Sequence, residues 1–522
     1  MFSWRNSVAR IGMMGLVLWL GACSTTPSVD PSPHRQSSAV EHEDIFAVGF
    51  RSISERYIDP VSVGEIAMHG LQGFAALDPA IHIKHNGKNV DLTINGEQIR
   101  RLPAPGADDG RAWAEIATQL VETTKQHSEL MRKASDEKLY EAVFDGTLSD
   151  LDVFSRYAGA TEARRNRARR DGFGGIGIRF KIKDDKPVIT SVMADTPAQS
   201  VGLRIGDQIT HIDGQRLETP KVRDIVDKLR GPTQSEVRVG LHRPSEDRQF
   251  DVVMERQHIV PPSVKASIDS GIVTLKISGF NQATARDVAN QLSEAKSTAG
   301  RPLKGLIVDL RGNPGGLLKQ SVKIADLLLT HGHIVSTRGR HPDSLHHYEA
   351  GGRDVAGGLP IVVVVDGKSA SASEIVAAAL QDRGRAVLVG TSSFGKGTVQ
   401  TVIRLPNDGE VTLTWSRLIA PSGYALHGLG VRPGVCTSGK SKNLDAIVES
   451  ALAQRLKLRS MFAAWRTSEI TEKEARKQLR ASCPPERRRT DLELKVARRL
   501  VENQTFYIQA LDLSSATSQA RN

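Results

Sequence analysis

Cysteine is scarce in this chain: 522 residues hold three, Cys23, Cys436 and Cys483, and no two of them form a Cys-x-x-Cys pair. That leaves no thiolate zinc site to expect. Membrane-length apolar runs are missing as well. The N-terminal run, Ile11 to Leu20, has about ten residues, too few to cross a bilayer as a mature helix. Charge of one sign is not gathered into a tail. The net charge of +11 is spread along the chain, and its densest cluster, Arg164, Arg165, Arg167, Arg169 and Arg170, stands just before a glycine-rich turn. Such a run reads as a solvated helix face, and no nucleic-acid partner is expected. What is present is ordinary globular composition: 39% hydrophobic and 25% charged residues exclude a polytopic membrane protein and a wholly disordered one. At roughly 150 residues per domain, about three to four domains are expected.

The N-terminus reads as an export signal. Arg5 and Arg10 flank the apolar run, and Leu20-Gly21-Ala22-Cys23 closes it, so residues 1–22 fit a signal peptide. The ending resembles a bacterial lipobox, which implies lipidation of Cys23. Ser24 after it favours the outer membrane, so the expected location is the bacterial envelope, anchored by lipid and facing the periplasm. Residues 23–41 are rich in Ser and Pro and read as a tether. In an exported chain the two remaining thiols, Cys436 and Cys483, most simply form one disulfide, the alternative being two buried free thiols. His331, His333, His341, His346 and His347 lie in a stretch without helical metal spacing, read as a loop with no metal site.

From residue 42 the chain divides into four blocks. Residues 42–171 alternate helical periods, Ile45 to Tyr57, Val63 to Leu77 and Ala112 to Met131, with a strand-like stretch at Val90 to Gly96, a helical region carrying an insertion over 80–140. Residues 172–257 change to short strands with Gly turns and one amphipathic helix, Lys221 to Leu229. Residues 258–436 alternate β-rich runs (Ile272 to Ile277, Gly305 to Leu310, Ile361 to Val365, Ala386 to Val389) with helical ones (Ala285 to Lys296, Leu317 to Leu329, Ser373 to Gln381). That alternation predicts an α/β layer. Residues 437–522 read as helical and charged.

In the second block, Pro197 to Leu203, Gly206-Asp207-Gln-Ile209 and Ile212-Asp213-Gly214 follow in the order of a PDZ domain. Upstream, Phe173, Gly174, Gly175, Ile176, Gly177 and Ile178 fit the loop with which such domains bind a peptide's terminal carboxylate, while the next strand pairs with the peptide backbone.

Two decoys stand in the third block. Gly390 to Gly397 nearly matches a phosphate loop, but Gly397 occupies the hydroxyl position and Thr398 to Leu405 reads as a strand where a helix is required. Gly367-Lys-Ser-Ala-Ser371 lacks the second glycine of a hydrolase elbow. No nucleotide and no other cofactor is implied. What remains is Ser371, placed where the strand Ile361 to Val365 turns into an Ala-rich helix. Ser371-Ala-Ser-Glu374 also fits a helix capping box, so the serine can be a cap. The same turn directs free amides at whatever reacts with the hydroxyl. Lys396 can serve as its base if desolvation lowers its pKa, and on a strand Lys396, Thr398 and Gln400 would share one face.

Ser369-Ala-Ser-Ala-Ser-Glu-Ile375, Phe394-Gly-Lys-Gly-Thr-Val-Gln400 and Asp309-Leu-Arg-Gly-Asn-Pro-Gly-Gly316, beside the PDZ-like block, resemble the C-terminal processing peptidases, or tail-specific proteases. The resemblance implies an α/β, crotonase-like catalytic core with an inserted PDZ-like domain. It also implies a serine endopeptidase using Ser371 as nucleophile, Lys396 as general base 25 residues on, and Gln400 to orient the lysine. The oxyanion hole would use the amides of Ala372 and of Gly315 or Gly316, with Asp382 as a supporting acid beside Glu374. Polypeptides with accessible C-terminal tails are the implied substrates. An adaptor protein or a homo-oligomer is left open. The segment Leu151-Asp-Val-Phe-Ser-Arg-Tyr157 departs from the family's Leu-Asp-Pro pattern, and Pro433-Gly434 from its Pro-Asp. Both departures are read as lying away from the serine and the lysine. The competing class is a catalytically silent PDZ lipoprotein that acts as scaffold or adaptor.

Overall fold

The computed structural model describes residues 34–218, 221–439, 443–487 and 490–514, with side chains from residue 41 on. Residues 1–33, and with them Cys23 and the apolar run, lie outside the described residues. The stretch expected to be tether up to 41 is helical at its end, because the first helix is His34–Arg56. No proline follows Pro33 there, and the buried face from Ile45, Phe46 and Phe50 onward lets the helix propagate backward from its docked end.

Four helices, His34–Arg56, Val63–Gln72, Gly110–His127 and Asp136–Ser149, share one core with a three-stranded antiparallel sheet. The insertion is therefore integral: Leu92, Trp113 and Met131 are buried with Phe46 and Phe144. The expected helix Ala112 to Met131 is two helices, broken at Ser128. Its hydroxyl accepts the Met131 amide and donates to buried Asp78, which caps Glu129–Lys133 and ends the helix before it. This core continues onto Leu405, Val411 and Leu413 of the third block, and the strand Arg156–Ala158 pairs with Glu410–Ile419.

The arginine-rich helix Ala160–Arg170 is not simply a solvated face. Arg167 and Arg170 both bond the carboxylate of Glu410, which is 2% exposed. A buried carboxylate needs paired donors, and this one receives them from a helix far away in sequence.

In the PDZ-like block the main path of the sheet ends at Ile178–Lys183, an edge strand. Ile178, Phe180 and Ile182 lean on a core that includes Ile225 and Leu229 of the helix Val222–Leu229. Phe173–Gly175 does not form an open loop. It pairs with Gln257–Ile259 and so closes the two chain crossings of this block.

The third block is a six-stranded sheet, parallel from Ile272–Ile277 to Val435–Cys436, with Val264–Asp269 antiparallel at one edge. Along Ile361–Val365 the side chains alternate between two cores. Ile361, Val363 and Val365 face the helices Thr284–Thr298, Leu318–Leu328 and Ala372–Asp382, whereas Val362 and Val364 join Val496, Leu500 and Tyr507. The strand is apolar at every position because both faces are covered. Residues beyond 436, which had no counterpart in the resemblance, supply that second helical layer. A second sheet holds Gly332–Gly339, His346–Ala350, Glu410–Ile419 and Thr398–Arg404. The histidine-bearing stretch read as a loop is a strand pair of this sheet, in which the rings of His333 and His347 stack 4.2 Å apart. Ile334, Val335 and Thr337 bury between the histidines, and that burial, not metal spacing, places them.

Cys436 and Cys483 are joined, with Cα atoms 5.9 Å apart, the pairing expected of the two remaining thiols. The bridge ties the last parallel strand to the chain just after the helix Lys473–Ala481. Closing a loop of this length contributes up to about 4 kcal/mol through the unfolded state. Denaturant midpoints measured with and without reductant should therefore fall on reduction, and an unchanged midpoint would show that the bridge adds nothing.

Candidate active site

Ser371 is the cap residue of the helix Ala372–Asp382 and has φ 55° and ψ −113°. A non-glycine residue in that region is strained, and strain of this kind is held by its surroundings. Here the surroundings are explicit. The Asp366 carboxylate accepts the amides of Gly312, Lys368 and Ser369, so it binds the turn before Gly315 to the loop that carries the serine. The Asn313 carbonyl accepts the Ala370 amide and the Ser373 hydroxyl. A Cβ on Gly315 (φ 103°) would lie 2.9 Å from the Ser371 Cβ, so only glycine lets the turn approach so closely.

Two amides beside the hydroxyl stay free. Ala372 and Gly316 donate to no acceptor among the described residues, whereas the Gly315 amide is committed to Asn313 Oδ1 at 2.9 Å. The sequence left Gly315 and Gly316 open as oxyanion donors. The structure leaves the Gly316 amide available.

Glu374 joins the serine to the lysine. Its carboxylate accepts the Ser371 amide at 2.7 Å, the Gly395 amide at 2.7 Å, the Lys396 amide at 2.9 Å and the Ser393 hydroxyl. Burial pushes its pKa up, while the Ser393 hydroxyl, the Gly395 and Ser371 amides and the charge of Arg480 act the other way. Each donor needs an acceptor, and a protonated carboxyl would face one of them with a proton, so the ionised form fits the site.

The Lys396 ammonium lies 4.9 Å from the centroid of the Phe154 ring. Its pKa is lowered first by burial and then by the charge of Arg156, with Asp152 and Glu374 opposing. Phe154, Asp152 and Arg156 all belong to the segment 151–157, so that segment reaches the lysine, while Val153, which stands where the family pattern has proline, is 91% exposed. Asp152 is fixed by the amides of Phe154 and Ser155 and by the Thr414 hydroxyl. No residue within the lysine's own motif signals Phe154. It arrives through the pairing of Arg156–Ala158 with Glu410–Ile419, a contact that local sequence cannot show.

Other expected partners stand elsewhere. Lys396 precedes the strand Thr398–Arg404, and a bulge falls between Val399 and Gln400. Lys396 therefore stands outside the alternation of that strand, whereas Thr398 and Gln400 share a face, because the extra residue of the bulge, Trp415, lies on the partner strand. The Gln400 amide donates to Thr398 Oγ1 at 2.9 Å and Thr414 Oγ1 at 3.3 Å, and no hydrogen bond joins Gln400 or Ser371 to the lysine amine among the described residues. Asp382 closes the far end of the helix, about 16 Å along its axis from the serine. There it accepts the amide and hydroxyl of Ser422 and pairs with Arg466, away from the reacting groups. In the PDZ-like loop, Gly174 accommodates the Gly231 carbonyl and Gly177 (φ 85°) accommodates Thr196, so both glycines have packing reasons to be there.

A cavity of about 430 Å³ begins at Leu317, directly after the free Gly316 amide, and is walled by Leu318, Val399, Gln400, Val402 and Trp415. The site thus combines a hydroxyl on a helix start, a partly desolvated amine, two free amides and an adjoining, largely apolar recess. That is equipment for acyl transfer.

Comparison with known proteins agrees with this chemistry. The family described as Peptidase family S41 matches residues 271–436, and the PDZ domain family matches residues 188–243. A carboxy-terminal-processing protease of Bartonella bacilliformis is 37% identical over 62% of this chain and 72% of its own length. A probable CtpA-like serine protease of Staphylococcus aureus is 30% identical over 59% of this chain and 62% of its own. Among solved structures, the photosystem II D1 C-terminal processing protease aligns over 78% of this chain and 96% of its own, at 22% identity and a TM-score of 0.36. The chain belongs to peptidase family S41 and is a serine-type peptidase that carries a PDZ domain.

Proposed function

We propose that this protein is a lipid-anchored endopeptidase of the bacterial periplasm that cleaves polypeptides presented by their C-terminal tails, with Ser371 and Lys396 as its dyad. The observation that carries the reading is Glu374, one buried carboxylate that holds the amides of both Ser371 and Lys396. The neutral lysine amine takes the Ser371 proton, and Oγ attacks the scissile carbonyl carbon. The amides of Ala372 and Gly316 receive the oxyanion. As the tetrahedral intermediate collapses, the lysine ammonium returns the proton to the leaving amine. Water then attacks the acyl-enzyme with Lys396 again as base, releasing the new carboxyl terminus. For proton transfer the amine must come within hydrogen-bond reach of the hydroxyl, and rotation of the lysine side chain off Phe154 brings it there in the substrate complex. The recess behind Leu317 suits an apolar residue on the acyl side of the cut. The edge strand Ile178–Lys183, with an open row of backbone groups, suits an added tail strand. Location and anchoring rest on the lipobox-like ending at Cys23.

The test is incubation of the purified protein and its Ser371→Ala variant with an unfolded protein, with new termini read by mass spectrometry. Cleavage by the first alone is expected. Absence of cleavage by both would favour the scaffold reading.

Activity should rise with pH as the lowered Lys396 ammonium loses its proton, because only the neutral amine is a base. Arg156→Gln removes a charge that disfavours the ammonium, so the lysine pKa rises and the rising limb of kcat/KM moves to higher pH. A limb that stays in place, or moves down, would mean that Arg156 does not act on the base.

A further inference from the structure

A second cavity, of about 640 Å³, lies on the other side of the lysine loop, between the helix Lys473–Ala481 and His427-Gly428. Lys473, Arg476, Lys477 and Arg480 line it, with Ile470, Ala481, Pro484 and Pro485 making the rest of a mainly apolar wall. The spacing of the four cations, three, four and seven, puts them on one helical face, the face that an ordinary packed helix would fill with apolar residues. No carboxylate lines the cavity among the described residues. Arg476 and Arg480 are committed to carbonyls: Arg476 to Ala425, His427 and Ser468, and Arg480 to Ser393, Phe394 and Leu429. The acids nearby stand outside the lining, and the buried carboxylate of Glu374 acts on Arg480 through space. Glu474 lies 3.9 Å from Lys477 with both side chains largely in solvent, a pair that holds little, and Glu469 and Glu472 act on Arg476 only through space. His427 adds an Nδ1 that is buried without a partner among the described residues.

The cavity adjoins the reacting groups. The Gly428 amide bonds the Gly395 carbonyl at 2.9 Å, Arg480 bonds the carbonyls just before Gly395, and His427 packs edge-on against Phe154, which covers the lysine. The cavity thus shares its wall with the loop that leads into Lys396.

We propose that this cationic cavity binds a carboxylate of the substrate polypeptide beside the scissile bond, so that the C-terminal helices, beyond the residues matched to the peptidase family, take part in choosing substrates. The inference rests on the proteolytic reading above and adds a substrate class to it. Two sources can supply the carboxylate: an acidic side chain or the chain end. Arg476 and Arg480 hold the walls, and Lys473 and Lys477 are the mobile exposed cations that would meet it.

The experiment uses the full-length Ser371→Ala protein, so that binding is read without cleavage. Fluorescein-labelled unstructured peptides of one length carry either two interior Glu or two interior Gln, each with a free or an amidated terminus, and affinity is measured by anisotropy. A carboxylate preference of about fivefold is expected, weakening as salt is raised. It should vanish in Lys473→Ala/Lys477→Ala, whose exposed side chains can be removed without disturbing the core. A lysine-dependent Glu-over-Gln preference that survives amidation assigns the cavity to side chains. A lysine-dependent preference for the free terminus assigns it to the chain end. If neither preference changes in the double variant, the proposal is overturned. Failure of the proteolytic reading would show separately, as absence of cleavage by the unsubstituted protein.

Discussion

Ser371→Ala and Lys396→Ala will each lower kcat/KM for an unfolded substrate by about four orders of magnitude or more, and the double variant will be no worse than either single one. The non-additivity follows from the chemistry. A hydroxyl without a base and a base without a hydroxyl both leave only the amides of Ala372 and Gly316 to act on the carbonyl. Lys396→Arg will be equally inactive, since a guanidinium does not give up its proton in a usable range. Folding should survive. Neither side chain fills a core, and the Ser371 backbone, already at φ 55°, is held by Asn313, Asp366 and Glu374 through main-chain contacts. Thermal unfolding measured beside the kinetics separates lost chemistry from lost structure. Proteolysis undiminished in the alanine variant at 371 would refute the dyad.

The parts of this site that could be read from sequence are those whose cause is local. A β-branched run followed by Ser-Ala-Ser-Glu must turn from strand to helix, so Ser371, Ala372 and Glu374 were legible together, and the central parallel strand Ile361–Val365 declared itself by being apolar at every position. Cys436 and Cys483 were legible through scarcity, as the two thiols left once Cys23 is set aside. The placements that local sequence does not show depend on where a strand starts or on distant chain. The shared face of Lys396, Thr398 and Gln400 assumes a strand that already runs at Lys396, and the strand starts only at Thr398. Asp382 lies one helix length from the serine, where sequence proximity is no guide to the site. Phe154 and Arg156 reach the lysine only because a short strand more than 200 residues upstream pairs with Glu410–Ile419. Arg480 reaches the carbonyls of Ser393 and Phe394 only once the C-terminal helices are docked and bridged. Local motifs thus bring Ser371, Ala372 and Glu374 into one turn, and tertiary packing supplies the groups around Lys396.

Glu374→Gln should leave a folded protein with kcat reduced about a hundredfold and KM little changed. The carboxylate accepts four donors, the amides of Ser371, Gly395 and Lys396 and the Ser393 hydroxyl. A carboxamide offers one oxygen, and its NH₂ would face donors that have no other acceptor. At about 1–3 kcal/mol for a buried donor left unpaired, stability should drop by about 2–4 kcal/mol, and the strained Ser371 backbone should relax toward ordinary dihedral angles. Because the hydroxyl and the amine are placed through their own main-chain amides, the loss falls on their mutual geometry and so on kcat. Glu374 acts here as a positioning residue with a charge, and the charge gives a second readout. Its Coulombic effect on Lys396 favours the ammonium, so removing it should lower the lysine pKa and shift the rising limb of the residual activity to lower pH, opposite to the shift expected for Arg156→Gln. A purely structural role would reduce activity without moving that limb. A Gln variant that kept both the wild-type kcat and the wild-type pH profile would show that the serine and the lysine are aligned by something other than this carboxylate.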